Sequence, residues 1–523
     1  MARAPITTAA LWQQVLGAAV SLRRLGLGRG DVIGVQLPTW HEYLAMHIAA
    51  NAVGATTMPI SPIFRQREVG RQVALAQARM LVVPAAYGQF DYLAMARGLQ
   101  REYPCLRELL AVGGTVDAAA AAGALSWSTL VAQGQDANAE AEREALARGE
   151  FAPAPGEFML LNFTSGTTGV PKGVMHTWQT LSAAVGAGIE RMQLTADDVL
   201  LTAVTLGHAG GFLTGMFMPL LLGARVVYMD HWDAGVALGV IERERVSYGP
   251  MMPTFLFDLL RHERFGSTDL SSWRKARVSG GSISRATMAS LQDRLPALKL
   301  LPGWGLSEGL FLTCGSPDDP APRRSHTDGR ALRGVELQIR DSLFTHPVGA
   351  GSVGEIVVRA PSLMLGYFGQ PELTAAATTA DGWMKTGDTG QLDDAGYLVM
   401  VGRSKDIIVR GGENVPAVEV EHLLMEHPKV VDAVVIGLPD ERLGERVCAV
   451  IECRQGLEPI GFEEMREHLV QHELTRQFIP ERLVLVPSLP RTALGKIRKH
   501  ELKAQILAEL TAPLPAGIAA ANR

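Results

Sequence analysis

Apolar and polar positions alternate along the chain between two periods. Leu11 to Leu25 has helical spacing, Asp31 to Leu37 reads as a strand, Glu42 to Val53 as a helix and Thr56 to Ile60 as a strand. Glu68 to Gln77 is again helical and Met80 to Val83 extended. Strands and helices in this alternation imply a parallel sheet covered on both faces. From Asp117 to Gly149 the chain turns Ala-, Gln- and Glu-rich, and part of it is expected as a surface excursion.

The alternation resumes after a strand at Phe158 to Leu161. Trp178 to Met192 reads as helix, Val199 to Val204 as strand, Phe212 to Leu222 as helix and Arg225 to Met229 as strand. Ala234 to Glu244 and Pro253 to Arg261 are helical, and Ala276 to Ser279 is extended. Short strands with Gly-rich turns over Gly334 to Arg359 suggest a small β unit. Beyond Arg403 a compact α+β segment is expected: helices at Val415 to His427 and Glu464 to Glu473, strands at Val431 to Ile436 and Arg482 to Val486. The Ala- and Pro-rich tail after Leu510 is expected to fray.

A chain of 523 residues exceeds one core and implies several folding units. The net charge of −5 comes without a Lys/Arg block, which argues against a nucleic-acid partner. Four scattered cysteines lack metal-ligand spacing and suit reduced thiols in a cytoplasmic protein. Val199 to Ala224 has no charged side chain, but Gly207, His208, Gly210, Gly211 and Pro219 interrupt it. It reads as strand, loop and buried helix, so no membrane span is expected.

The richest chemistry lies in Phe163-Thr164-Ser165-Gly166-Thr167-Thr168-Gly169-Val170-Pro171-Lys172-Gly173, between the strand at Phe158 and a helix expected near Thr177. Glycines let backbone approach a phosphate chain, hydroxyls donate to it, and Lys172 adds a charge. The same composition also makes an ordinary polar turn. Lys172 lies between Pro171 and Gly173, which excludes the Walker A pattern.

The order of residues in this loop resembles the signature of the adenylate-forming superfamily: acyl-CoA synthetases, adenylation domains of peptide synthetases and luciferases. Further stretches match that family in order. Gly303-Trp304-Gly305-Leu306-Ser307-Glu308 follows a short strand and resembles its aromatic-Gly-x-Thr-Glu motif, with Trp304 in place of Tyr and Ser307 in place of Thr. The resemblance implies Trp304 against adenine, Ser307 on the α-phosphate and Glu308 on Mg²⁺. It also implies Gly281, in Ser279-Gly280-Gly281-Ser282, along adenine and acyl group, Asp388 on the ribose, and Arg403 on ribose and phosphate. Lys405 falls at the family's hinge, Gly411 and Gly412 at its CoA tunnel, and Lys496 at its catalytic lysine. His208, Phe212, Met252, Gly303 and Phe311 are the acyl-pocket candidates, with Met251, Ser279, Leu310 and Thr313 beside them. No acidic or basic anchor stands among them, which favours a fatty, alicyclic or aromatic acid.

The fold expected from the resemblance is α/β, a large N-terminal domain (residues 1–402) hinged to a small α+β C-terminal domain. The large domain would hold two doubly wound units, 1–150 and 151–330, and a small β unit, 331–402. The hinge would be 403–406, the mobile domain 407–510 and the tail 511–523. The implied activity is ATP-dependent ligation of a carboxylic acid to CoA through an acyl-AMP, with ATP, Mg²⁺ and CoA taking part. Alternatives are a ligase that loads a carrier-protein phosphopantetheine, a luciferase-like oxygenase, and a non-catalytic nucleotide-binding homologue.

Overall fold

The computed structural model describes residues 5–121, 123–164, 171–279, 285–403, 407–410, 413–440, 444–472, 474, 478–491 and 497–511. The first sheet is built from the strands Val32–Val35 (β1), Thr56–Pro59 (β2), Met80–Pro84 (β3), Glu108–Val112 (β4) and Leu125–Ser126 (β5), joined by Phe158–Thr164 (β6) and Lys172–Thr177 (β7). Its order is Gly366–Tyr367, β7, β6, β2, β1, β3, β4, β5. The first five strands and β6 run parallel, whereas β7 and Gly366–Tyr367 are antiparallel additions at one edge. β1 to β3 are buried throughout, so their side chains form near-continuous apolar runs as expected between two helical layers.

The second sheet comprises Val199–Thr202 (β8), Arg225–Tyr228 (β9), Tyr248–Met251 (β10), Lys275–Val278 (β11) and Lys299–Pro302 (β12), in the order β12, β11, β10, β8, β9. All its pairings are parallel. A shared apolar cluster joins the two sheets through the helix Trp178–Met192, with Leu181, Val185, Phe212, Phe217, Tyr248 and Phe311 in it. Burial of such side chains contributes about 1.5–3 kcal/mol each before entropy is subtracted.

Four antiparallel strands form the small β unit: Glu336–Arg340, Gly354–Arg359, Met384–Leu392 and Leu398–Arg403. The C-terminal unit carries a five-stranded sheet whose centre is Gly444–Cys453, flanked by Val430–Asp440 and Arg482–Val486. Helices Ala417–Met425 and Phe462–Gln471 share one apolar cluster with this sheet, and Lys499–Thr511 shares another. No helix among the described residues is long and apolar enough to cross a membrane.

One expectation needs correction. The division at residue 150 does not coincide with the sheets, because β6 and β7 complete the first sheet rather than opening the second. Part of the Ala-rich stretch after Asp117 does lie at the surface, with Gln135 to Asn138 exposed, but the stretch is also anchored. It folds into helices Trp127–Gln133 and Glu140–Ala147, which bury Trp127, Leu130, Val131 and Leu146 in the cluster of the first helix, Thr8–Arg24. The helix expected near Thr177 begins at Trp178, with the strand β7 before it. Thr177 caps that helix, its side chain accepting from the Thr180 N–H.

Candidate active site

β6 and β7 form an antiparallel hairpin in which Thr164 pairs with Lys172. Thr164 and Lys172 are thus cross-strand neighbours at either end of the hydroxyl- and glycine-rich stretch of the sequence. Ser165, Gly166, Thr167, Thr168 and Gly169 lie outside the described residues, as do Gly281, Lys405, Gly411, Gly412 and Lys496. Of Arg403 the backbone alone is described.

Beside the hairpin stands a second, smaller one. Gly305–Leu306 pairs antiparallel with Leu310–Phe311, and Ser307, Glu308 and Gly309 make the turn. Gly305 is demanded by contact: a Cβ there would come 1.9 Å from the Leu310 carbonyl oxygen. Leu310 itself is held at φ +60°, a left-handed conformation that strains a leucine. The tertiary structure fixes this turn from two sides. The Met364 N–H donates to the Glu308 carbonyl at 2.8 Å, and Ser362 Oγ donates to the Gly309 carbonyl at 2.8 Å. From β7, His176 Nε2 lies 2.7 Å from the Ser307 carbonyl oxygen. A carbonyl only accepts, so the imidazole proton is on Nε2. Burial lowers the His176 pKa to about 4, against the opposing pull of that hydrogen bond, and the ring is neutral at physiological pH.

The carboxylate and the lysine meet at Tyr367. This residue pairs with Val174 at the sheet edge, and its hydroxyl donates to Glu308 Oε1 at 2.8 Å. Lys172 Nζ sits 5.0 Å from the centre of the same ring, within cation–π range. Burial, and then the neighbouring Glu308 charge, push the phenol well above its usual pKa, so Tyr367 remains a donor. The chain Lys172, Tyr367, Glu308 thus places a cation over the face of one aromatic ring and an anion at its hydroxyl.

Trp304 and Asp388 are also brought together. The Trp304 indole N–H donates to Asp388 Oδ2 at 2.9 Å, and both residues are buried. Asp388 is in turn the cross-strand partner of Arg403 in the hairpin of the small β unit. The two residues expected at the ribose are therefore neighbours in register, next to the expected adenine contact.

The acyl-pocket candidates divide. Phe311 and Gly303 meet around Arg277, whose guanidinium carbon is 4.2 Å from the centre of the Phe311 ring. Phe212 is fully buried in the same cluster as Phe311, and its amide donates to the His208 carbonyl at 2.8 Å. Met252 packs in a different cluster, with Met251 and Phe255. Arg277, a residue outside the candidate set, is 4 % exposed.

Comparison with known proteins adds to this geometry. Residues 2–368 match the model of the AMP-binding enzyme family, and residues 419–496 that of the AMP-binding enzyme C-terminal domain. The chain belongs to the AMP-binding enzyme family. It is 35% identical over 486 residues to the medium-chain fatty-acid–CoA ligase of Escherichia coli (strain K12), covering 93% of this chain and 83% of that protein. It is 34% identical over 499 residues to the 2-hydroxy-7-methoxy-5-methyl-1-naphthoate–CoA ligase of Streptomyces carzinostaticus, covering 93% of this chain and 86% of the relative. Among solved structures, the amide bond synthetase McbA from Marinactinospora thermotolerans superposes with a TM-score of 0.82 at 29% identity, covering 96% of this chain and 95% of that one.

Three residues in the site of this AMP-binding enzyme escaped the sequence reading. Tyr367 and Arg277 had no local signal, since one is an edge-strand tyrosine and the other an arginine in a short apolar strand. His176 did leave a trace, because it follows the Gly-rich loop closely and precedes the Thr177 cap.

Proposed function

We propose that the chain activates a fatty, alicyclic or aromatic carboxylic acid as its acyl-AMP and then transfers the acyl group to CoA. The observation that carries this reading is the convergence of Lys172 and Glu308 on Tyr367 beside the hairpin of β6 and β7. In the first half-reaction a carboxylate oxygen attacks the α-phosphorus of ATP and pyrophosphate leaves. Both reactants are anions, so rate must come from positioning and charge neutralisation. Thr164 and the hydroxyl residues after it, up to Thr168, donate to phosphate oxygens, while Lys172 and Lys496 offset their charge. Trp304 faces adenine, Ser307 supports the α-phosphate, and Asp388 with Arg403 takes the ribose.

A Mg²⁺ ion fits this donor set. Glu308 accepts from Tyr367 through one carboxylate oxygen and offers the other, and Mg²⁺ characteristically takes one or two carboxylates plus substrate phosphates. No group of three or more His, Cys, Asp or Glu side chains that could cage a metal occurs among the described residues. When bound, the ion would neutralise phosphate charge.

In the second half-reaction the CoA thiol attacks the acyl carbonyl, the bond from that carbon to the phosphate oxygen breaks, and AMP departs. Rotation of the C-terminal unit about Lys405 would withdraw Lys496 and bring Gly411 and Gly412 to the thiol. A screen of pyrophosphate release over acids graded in length and ring content, with CoA and with a phosphopantetheinylated carrier protein as acceptors, tests the reading. Release with at least one acid, and thioester formed on CoA, is expected. No release with any acid would overturn the ligase reading, and thioester on the carrier protein alone would overturn CoA as the acceptor.

A further inference from the structure

A buried cation stands beside Phe311 with no carboxylate partner among the described residues. Arg277 lies on β11 and is 4 % exposed. Its Nη1 donates to Ser279 Oγ at 2.6 Å, its guanidinium packs on Phe311, and the Cys314 thiol lies within hydrogen-bonding range. Among the described residues no carboxylate comes within 4.0 Å of it. The buried carboxylates of this region are engaged elsewhere, Asp198 with Arg274 at 3.0 Å and Asp319 with Arg191 at 2.9 Å.

The surroundings are shaped around this group. A Cβ at Gly303 would sit 3.0 Å from Arg277 Nη2 and 3.1 Å from Nε, so a larger residue there would meet the guanidinium. Tyr248 pairs with Lys275 and Pro250 with Arg277, which places Tyr248 on the same sheet face, one pair along. That tyrosine is fully buried, and its hydroxyl has no hydrogen-bond partner. Ser279, Gly303 and Phe311 are the residues at which the acyl group is expected, and all three touch Arg277. A buried cation and a buried phenol whose hydroxyl has no partner thus lie on one sheet face, the phenol inside the apolar cluster of Phe212 and Phe311.

We infer that Arg277 is a specificity-determining residue that binds a second oxygen acceptor on the acid substrate, remote from the carboxylate that is activated. The substrate class is then a fatty, alicyclic or aromatic acid bearing a hydroxyl, oxo or second carboxyl group, and this rests on the ligase reading above. The Arg277 fork supplies two parallel donors to such an oxygen, with Tyr248 as an additional partner.

The test compares matched acids by initial rates of pyrophosphate release with ATP, Mg²⁺ and CoA. Octanoate is set against its omega-hydroxy and omega-carboxy derivatives, and benzoate against its para-hydroxy and para-carboxy derivatives. The wild-type enzyme is expected to favour at least one oxygenated member over its parent by ~10-fold or more in kcat/KM, chiefly through KM, as one hydrogen bond to a charged group implies. Whether the hydroxy or the carboxy derivative leads identifies the source of the acceptor. Arg277→Met should reduce that ratio at least about tenfold, and Arg277→Lys, which keeps the charge but loses the fork, should restore part of it. A wild-type enzyme that prefers every parent acid would overturn the inference while leaving the ligase reading intact, and it needs no folded variant. An Arg277→Met enzyme whose ratio stays within about twofold of wild type would overturn it too. Release with none of the acids would overturn both readings together.

Discussion

The indole N–H of Trp304 donates to Asp388 Oδ2 at 2.9 Å, across 84 residues of sequence and between two separate strand units. This bond fixes the aromatic face expected against adenine to the carboxylate expected at the ribose, so the nucleotide would meet a preformed corner. One oxygen of Asp388 is thereby oriented by protein. Trp304→Phe keeps the ring face but removes the donor. We expect it to raise KM for ATP about tenfold, the worth of roughly 1.5–3 kcal/mol for a hydrogen bond to a charged group. Asp388→Ala should cost about a hundredfold in kcat/KM for ATP, since it also removes the ribose acceptor. In a double-mutant cycle the Trp304→Phe effect should shrink once Asp388 is gone; fully additive effects would show that the bond does not position the carboxylate.

Tyr367 holds Glu308 by one oxygen and Lys172 by its ring face. Tyr367→Phe retains the ring and removes the hydroxyl, leaving Glu308 free to rotate. We expect the half-saturating Mg²⁺ concentration to rise about fivefold, in line with loss of an outer partner of a metal-binding carboxylate. Turnover at saturating Mg²⁺ should recover most of its wild-type value. Glu308→Gln, by contrast, should lower kcat by about a hundredfold or more at any Mg²⁺ concentration. An unchanged Mg²⁺ dependence in Tyr367→Phe would remove this role.

Much of the architecture follows from residue pattern. The helix Trp178–Met192 and the strand Arg482–Val486 coincide with their apolar spacing, because each is bounded by clear polar breaks. Lys172–Thr177 was missed as a strand, since a lysine, a glycine and a histidine mask its alternation, and only pairing with β6 makes it extended. The buried anchors within the Ala-rich stretch after Asp117 are hidden in the sequence for a related reason. Alanine is compatible with exposure, and the burial of Trp127 and Leu130 depends on the partner helix Thr8–Arg24. At the candidate site, motif order singles out Glu308, Trp304 and Asp388, the last two hydrogen-bonded to each other. Tyr367, His176 and Arg277 act through contacts at sequence separations that no local pattern records.

Two buried histidines make stability depend on pH with a definite sign. Burial lowers the pKa of His176 to about 4, and burial against Phe212 lowers that of His47 to about 3. In the unfolded chain both titrate near ~6.5. Above that pH both states are neutral and the contribution is fully present. As pH falls from ~6.5 toward the folded values, the unfolded chain gains protons that the folded protein refuses, and stability drops by about 1.4 kcal/mol per pH unit per histidine. Below the folded values the contribution is flat. Denaturant midpoints across this window should therefore fall more steeply for wild type than for His176→Gln, by a slope equal to one proton. Equal slopes would mean that His176 is protonated in the folded enzyme.

The proposed cycle assigns Lys496 to one half-reaction alone. In the proposed cycle it neutralises charge only while carboxylate and α-phosphate meet, and it is withdrawn before the thiol attacks. Removing a single preorganised charge of this kind typically costs about 10²–10³ in rate. Lys496→Ala should therefore depress acyl-adenylate formation by at least about a hundredfold, read as pyrophosphate release, while thioester formation from synthetic acyl-AMP and CoA changes less than about threefold. The asymmetry matters more than either rate, because a variant that merely folds poorly loses both halves alike. Equal loss in both halves, in a variant whose melting temperature matches wild type, would mean that Lys496 serves both steps from one position, and the domain rotation would lose its reason.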